Sequence, residues 1–298
     1  MLFICPQAKP CKQNRWVPSL ISPVTQTRLQ NEEEMLLLLC VWLLGTSLLV
    51  AGTPKKGVCL YMKAYHCNDT QALHDVSWWY DWGMDHNKHH ELGCQGQPRG
   101  EFVPMVWGYW GQKMNFPSSS HHVLGFNEPN HKDQSHMTPQ AAASHWRELQ
   151  SGAHGMSLVS PAPARCGSVG GLCTEETYKW LDDFFKACSS CQVDFVGVHS
   201  YTCSADNDMR FLETVYHRYH KKVWLTEFAC PYSSSLSHIE NYMKAIIPRL
   251  EAAPFVARYA WFQARITHGD NFIHKENSLL EADSSKLTSL GRLYNSLH

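Results

Sequence analysis

The sequence predicts an α/β protein, a single (β/α)8 TIM barrel, on three observations. Eight short apolar runs with the character of buried parallel strands recur along the chain, stretches of helical period lie between them, and no repeat, low-complexity tract or Pro/Ser-rich linker within residues 57 to 298 marks a second domain. Eight strands with intervening helices in about 240 residues have the size and rhythm of a barrel. A doubly wound open sheet is the rival, but no Gly-x-Gly-x-x-Gly turn follows a strand to support a nucleotide-binding version of it.

The chain opens with residues 1–52, an N-terminal extension holding a signal peptide or signal anchor; residues 53–298 form the folded domain. The run from Met35 to Ala51 is slightly short for a comfortable membrane span and reads better as the apolar region of a secretory signal, with cleavage after Gly52. Glu32 to Glu34 stand where a signal normally carries positive charge, which translation from Met35 would explain. An uncleaved anchor would tether the domain outside the cell, so a membrane is a partner only in that case.

The strands are expected at Val58–Tyr61, Val76–Trp79, Phe102–Trp107, His122–Phe126, Met156–Ser160, Phe195–His199, Val223–Thr226 and Val256–Phe262. Between them, Thr138-Pro139 supplies an N-cap and an N1 proline ahead of Ala142, Trp146 and Leu149 on one helix face. Thr174 opens a second helix carrying Tyr178, Leu181, Phe184 and Phe185. Ser237-x-x-Glu240 forms a capping box before Ile239, Met243, Ile246 and Ile247, and a segment from Ser285 with Leu287, Leu290, Leu293 and Leu297 closes the chain.

Composition narrows the classes of function. With 44% hydrophobic residues, 18% charged residues and a formal net charge of −1, the chain is folded and has no electrostatic reason to seek nucleic acid. Of the 12 cysteines, Cys5, Cys11 and Cys40 lie in the extension; the odd number that follows leaves at least one thiol free or paired between chains. This load suits an oxidising compartment, so disulfides are favoured over a metal site even where Cys166-x6-Cys173 and Cys188-x2-Cys191 resemble a zinc ribbon. Asn68-Asp69-Thr70 is a glycosylation sequon expected at the surface. Asp85-His86-x-x-His89-His90 lacks the His-Glu-x-x-His arrangement and is expected to be a solvent-facing loop, not a metal box. Neither a Gly-x-Ser-x-Gly elbow nor a P-loop is present.

Barrel enzymes carry their chemistry at the C-terminal ends of strands. The fourth run ends Asn127-Glu128-Pro129 and the seventh ends Thr226-Glu227-Phe228, on strands that face each other across a barrel mouth. Two converging carboxyl groups are what glycosidic cleavage requires: one protonates the departing oxygen while the other attacks the anomeric carbon or activates water. The sixth run adds His199 and Tyr201 to the same rim, and the eighth adds Trp261, an indole that could floor a sugar subsite. Trp78, Trp79, Tyr80 and Trp82, then Trp107, Tyr109 and Trp110, crowd the second and third strand ends, where flat sugar faces could stack. Alternation sends one of Trp78 and Trp79 inward and the other outward, without deciding which; Trp224, mid-strand, reads as core.

The strings Leu124-Gly-Phe-Asn-Glu-Pro-Asn130, Gln134-Ser-His-Met-Thr-Pro139, Val223-Trp-Leu-Thr-Glu-Phe-Ala-Cys230, Arg258-Tyr-Ala-Trp-Phe262 and Asn277-Ser-Leu-Leu-Glu-Ala-Asp283 resemble glycoside hydrolase family 128, clan A barrels acting mainly on β-1,3-glucans, over about residues 57 to 295. The resemblance implies a retaining endo-β-1,3-glucanase that takes a β-glucan polysaccharide and needs no metal or cofactor; the N-terminal apolar run and the cysteine load make it secreted, and a monomer is expected. It implies Glu128 as acid/base, Glu227 as nucleophile, and Asn127 on the sugar 2-hydroxyl. His199 and Tyr201 would line the rim, Trp261 would floor the cleaved-bond subsite, and Trp78, Tyr80 and Trp82 would match an aromatic cluster of the family. Two positions depart from the pattern: Ser200 stands where many members carry tryptophan, and Asp81 where asparagine is common. The alternatives are another clan A β-glycanase specificity and a non-catalytic glucan-recognition protein.

Overall fold

The computed structural model describes residues 54–167, 169–269 and 272–298; the chain divides into Met1–Val50 and Ala51–His298. The signal and anchor expectations lie outside the described residues.

Eight strands run through the described chain: β1 (Lys56–Cys59), β2 (Trp78–Tyr80), β3 (Glu101–Phe102), β4 (His122–Leu124), β5 (Ser157–Val159), β6 (Val196–Ser200), β7 (Val223–Phe228) and β8 (Val256–Trp261). Six form a parallel sheet in the order β3-β2-β1-β8-β7-β6, and β4-β5 form a second parallel pair. Single parallel bridges, Met105 to Leu124 and Val159 to Phe195, join the edges of the two sheets. Each predicted run overlaps an observed strand within a few residues at either end. The third is the exception in kind, pairing as a two-residue strand and then by the bridge at Met105.

Five longer helices connect or follow them: α1 (Pro139–Gly152), α2 (Thr177–Ala187), α3 (Ala205–Tyr219), α4 (Leu236–Ala252) and α5 (Ser289–Ser296). Thr138 caps α1 as its sequence predicts, accepting from Ala141 N. The other expected starts are displaced because their hydroxyls have different partners. Thr174 donates to Asn130 O at 2.9 Å, and Glu176 caps α2 instead. Ser285 donates to Asp69 Oδ1 at 2.7 Å and leaves Thr288 to cap α5. Ser235, two residues before the expected capping box, accepts from His238 N. Helix α3 has no counterpart in the sequence reading, although Met209, Phe211, Leu212 and Val215 form a buried stripe with Asn207, Arg210, Glu213 and Arg218 on the exposed face; within that stripe lies the buried, polar Asp208.

The strands separate two apolar layers. Trp78, Tyr80, Leu124 and Trp224 belong to a cluster inside the strands, whereas Trp79, Leu225 and Tyr259 pack in the layer toward the helices. That settles the Trp78/Trp79 question in favour of Trp78 inward and Trp79 outward, and Trp224 is core as expected. Glycine at 57 leaves room for the inner layer, since a Cβ there would lie 2.2 Å from the Trp78 ring.

Disulfides join Cys67–Cys94, Cys166–Cys173, Cys188–Cys191 and Cys203–Cys230, and Cys59 is a buried free thiol. The ribbon-like cysteines therefore pair locally within each half of the pattern. A buried ion pair between Arg265 and Asp69 ties the segment after β8 to the N-terminal region, with the Arg265 guanidinium also donating to Ala64 O at 2.7 Å and Ser284 O at 2.5 Å. Arg265→Met strands the Asp69 carboxyl in the interior, so a loss of about 3–5 kcal/mol is expected, read as a lower denaturant midpoint at unchanged m-value.

Candidate active site

Glu227 reaches the cleft because β7 carries an extra residue. Leu225 pairs with Tyr259 and Phe228 with Trp261, three steps on β7 against two on β8; on the other side Val198 pairs with Leu225 and His199 with Glu227. Strict alternation from inward-facing Trp224 would turn Glu227 toward the helices. The bulge at Thr226 restores it to the inner face. Glu128 arrives differently, on the turn after β4 with φ of 39°, its N–H donating to Ala162 O at 2.9 Å. Asn130, fully buried, locks that turn by accepting from Ala164 N at 2.7 Å and donating to Ala164 O at 2.9 Å.

The two carboxyl groups meet at one imidazole. His199 Nδ1 lies 2.8 Å from Glu128 Oε1 and 3.3 Å from Glu227 Oε2. Glu227 also accepts from Tyr201 OH at 2.5 Å, Trp82 Nε1 at 2.9 Å and Tyr80 OH at 3.2 Å. Burial pushes the Glu227 carboxyl above its ordinary range, and the nearby Glu128 adds to this, while His199 and the Tyr201 and Trp82 donors pull against it. Burial alone would lower His199, but the charges of Glu227 and Glu128 outweigh it and raise the imidazole.

A cavity of about 890 Å³ opens over this cluster, lined among others by Trp82, Trp107, Asn127, Glu128, Tyr201 and Glu227. Asn127 donates to Gln134 Oε1 at 3.0 Å, and its own Oδ1 is buried without a hydrogen-bond partner among the described residues. Trp82, like Glu128, takes a left-handed backbone, with φ of 64°. Asp81 supports that turn by accepting from Gly83 N at 2.9 Å, the bond an asparagine carbonyl would accept, and burial pushes its carboxyl up to about 7. Such backbone strain gathers at functional sites.

Several predicted positions fall elsewhere. Trp261 is fully buried against Phe228 and Tyr294, its indole N–H donating to Asn277 O at 2.8 Å, so it does not floor the cleft. Parity explains the correction: Trp261 shares the outward face of Tyr259, and the next residue, Phe262, turns to the cavity. Trp78 is buried deep inside the strands with its N–H on Lys55 O at 2.9 Å, too low to touch a cleft ligand. Tyr80 is buried as well and meets the site through its hydroxyl on Glu227 and its ring against that of Trp82. Trp110 stands outside the cavity lining, 69% exposed, with its ring 6.3 Å from that of Trp107. Ser200 is buried and hydrogen-bonded by Arg165, so the departure from tryptophan is filled by a polar contact. The histidine-rich loop is not solvent-facing throughout: His89 is buried, bonded to Tyr65 OH at 2.8 Å and to Gly96 O at 3.2 Å.

The cleft also holds Tyr61, Arg165, Tyr232, Phe262 and Phe272, which sequence reasoning did not select. Phe262 sat beside the chosen Trp261 and needed only the strand parity. The others come from loops, whose side-chain directions carry no periodic signal.

Among the described residues two groups have ligand-like spacing for a metal. Cys203, Cys230 and His238 are one, but both sulfurs are committed to a disulfide. Glu128, His199 and Glu227 are the other, with donor atoms within 4.8 Å of one another. Three N–H and O–H donors already aim at Glu227, an arrangement that serves an anion and occupies the lone pairs a cation would need. A buried, donor-supported carboxyl facing a second carboxyl can act as nucleophile and acid/base toward an acetal carbon.

The glycosyl hydrolase catalytic core family model matches residues 58–294. Alkali-sensitive linkage protein 1 of Schizosaccharomyces pombe is 30% identical over 183 residues, 58% of this chain, and the match spans 32% of that protein, about a third of its length. A GH128 subgroup II endo-β-1,3-glucanase from Sorangium cellulosum is 35% identical with a TM-score of 0.70, covering 82% of this chain and 98% of its own. A GH128 subgroup I endo-β-1,3-glucanase from Amycolatopsis mediterranei, in complex with laminaritriose, is 28% identical with a TM-score of 0.65, covering 82% of this chain and 99% of its own.

Proposed function

The chain belongs to the glycosyl hydrolase catalytic core family and is a glycoside hydrolase, and on that footing we propose that it is a secreted, retaining endo-β-1,3-glucanase. The single observation that carries this reading is the placement of Glu128 and Glu227 on one histidine, with carboxyl oxygens within 4.8 Å of each other. Retaining enzymes hold their carboxyl groups about 5–5.5 Å apart, whereas inverting ones leave about 6.5–9.5 Å for a water. The similarity to endo-β-1,3-glucanases over nearly their whole length supports the substrate class.

In this mechanism Glu227 attacks the anomeric carbon as Glu128 gives its proton to the departing glucosyl oxygen, forming a glycosyl ester on Glu227. Glu128, now anionic, takes a proton from water, whose oxygen attacks the same carbon and releases Glu227. Tyr201 and Trp82 favour the charged form of Glu227 against its burial and aim it, and the Asn127 amide is set to meet the 2-hydroxyl beside the reacting carbon. Trp82, Trp107 and Phe262 offer apolar faces to the sugar rings. We read residues 53–298 as one catalytic domain and its strands as a closed (β/α)8 barrel. The bridges Met105–Leu124 and Val159–Phe195 support closure, and four disulfides support an oxidising, extracellular setting.

The test is product release from β-1,3-, β-1,4- and mixed-linkage glucans and from mannan. Oligosaccharides of several lengths from β-1,3-glucan are expected. Glucose or a single short product would make the enzyme exo-acting, and preferential turnover of another polymer would overturn the linkage. Binding of a glucan without turnover would replace the hydrolase mechanism by recognition.

A further inference from the structure

The two residues that flank Tyr201 are tied to one buried carboxyl that the chemistry above leaves unused. Asp208, fully buried in the first turn of α3, accepts from Ser200 Oγ, Thr202 Oγ1 and Tyr242 OH, each at 2.6 Å. It also pairs with Arg165 Nη1 at 3.2 Å. A carboxylate offers about four lone-pair sites, and four donors converge on this one from β6, the loop after it, α4 and the segment after β5. Alternation turns Ser200 away from the cleft while His199 and Tyr201 face it. The clamp therefore holds the backbone on both sides of the residue whose hydroxyl meets Glu227 Oε2 at 2.5 Å.

We propose that Asp208 is a positioning residue of the active site: by gripping Ser200 and Thr202 it aims the Tyr201 hydroxyl at Glu227 and so helps keep the nucleophile anionic. This rests on the reading of Glu227 as nucleophile. The groups that face Glu227 are Cys59 from β1, Tyr80 and Trp82 from the β2 end, Glu128 after β4, and His199 and Tyr201 from the β6 end. Of these, the clamp controls Tyr201. A hydrogen bond donated to a carboxylate favours its charged form, so losing it raises the pH at which Glu227 ionises. The acid limb of kcat/KM, which reports that ionisation in the free enzyme, then moves to higher pH.

Asp208→Asn keeps the size of the side chain but turns one acceptor into a donor, leaving hydroxyls that face an N–H. The experiment measures the pH dependence of kcat/KM on laminarihexaose for the full chain, Asp208→Asn, Tyr201→Phe and the double variant. Tyr201→Phe is expected to move the acid limb up by about one pH unit. Asp208→Asn should move it in the same direction by a similar or smaller amount, and the double variant no further than Tyr201→Phe alone, because both changes remove one bond. Thr202→Val, at an exposed position, deletes one clamp hydroxyl and gives a smaller shift of the same sign should Asp208→Asn not fold. An acid limb unmoved in the folded variants, or a shift that adds in full to that of Tyr201→Phe, overturns the positioning role. A wild-type chain that turns over no glucan overturns the functional reading and this inference with it, so the two failures are distinct.

Discussion

Glu227→Gln is expected to lower kcat on β-1,3-glucan by roughly 10³- to 10⁵-fold, because the amide has no anion with which to form the glycosyl ester. The substitution is nearly isosteric, and the site can accept it. The amide oxygen can keep the donors from Trp82 and Tyr80, while the amide N–H₂ meets Tyr201, whose hydroxyl can rotate to accept. Binding of a laminari-oligosaccharide, measured by calorimetry, should stay within about tenfold of wild type, since the stacking faces and Asn127 are untouched. Proton NMR of the wild-type reaction should show the β-anomer as first product. An α-anomer would establish inversion and remove the nucleophile role from Glu227, and a Glu227→Gln enzyme that still turns over glucan would do the same.

Glu128→Gln should cost about 10²- to 10⁴-fold on glucan, and the size of the loss should depend on the leaving group. A glucosyl alkoxide cannot depart without a proton, whereas a dinitrophenolate can, so an activated aryl glycoside should form the glycosyl ester at close to the wild-type rate. The second step then stalls, because no base activates water. Azide needs no deprotonation and should restore turnover by giving the β-glycosyl azide, as Glu227 leaves from the face it attacked. Lack of rescue with both the aryl glycoside and azide would mean that Glu128 holds the site together and is not its acid/base. The left-handed backbone at Glu128 and its contact with His199 make this a demanding position, so circular dichroism should accompany the kinetics.

The number and order of the strands, the start of α1, the place of Trp224 in the core, and the two carboxyl groups at the ends of the fourth and seventh runs were all legible in the amino-acid order. Those features are local: apolar runs, caps and chain position report the pull of water on each segment, and parallel strands bring their C-terminal ends to one side whatever the loops do. The rest of the site depends on parity and on partners far away in the chain. One extra residue at Thr226 brings Glu227 back to the cleft, and the register of β8 turns Trp261 away from it in favour of Phe262. A one-residue shift reverses the face of every following side chain, and composition holds no record of it. Thr174 and Ser285 failed as caps because Asn130 and Asp69 claim their hydroxyls. The clamp on Tyr201 was equally illegible, since Asp208, Arg165 and Tyr242 come from three separate elements and only packing brings their polar groups to one buried point.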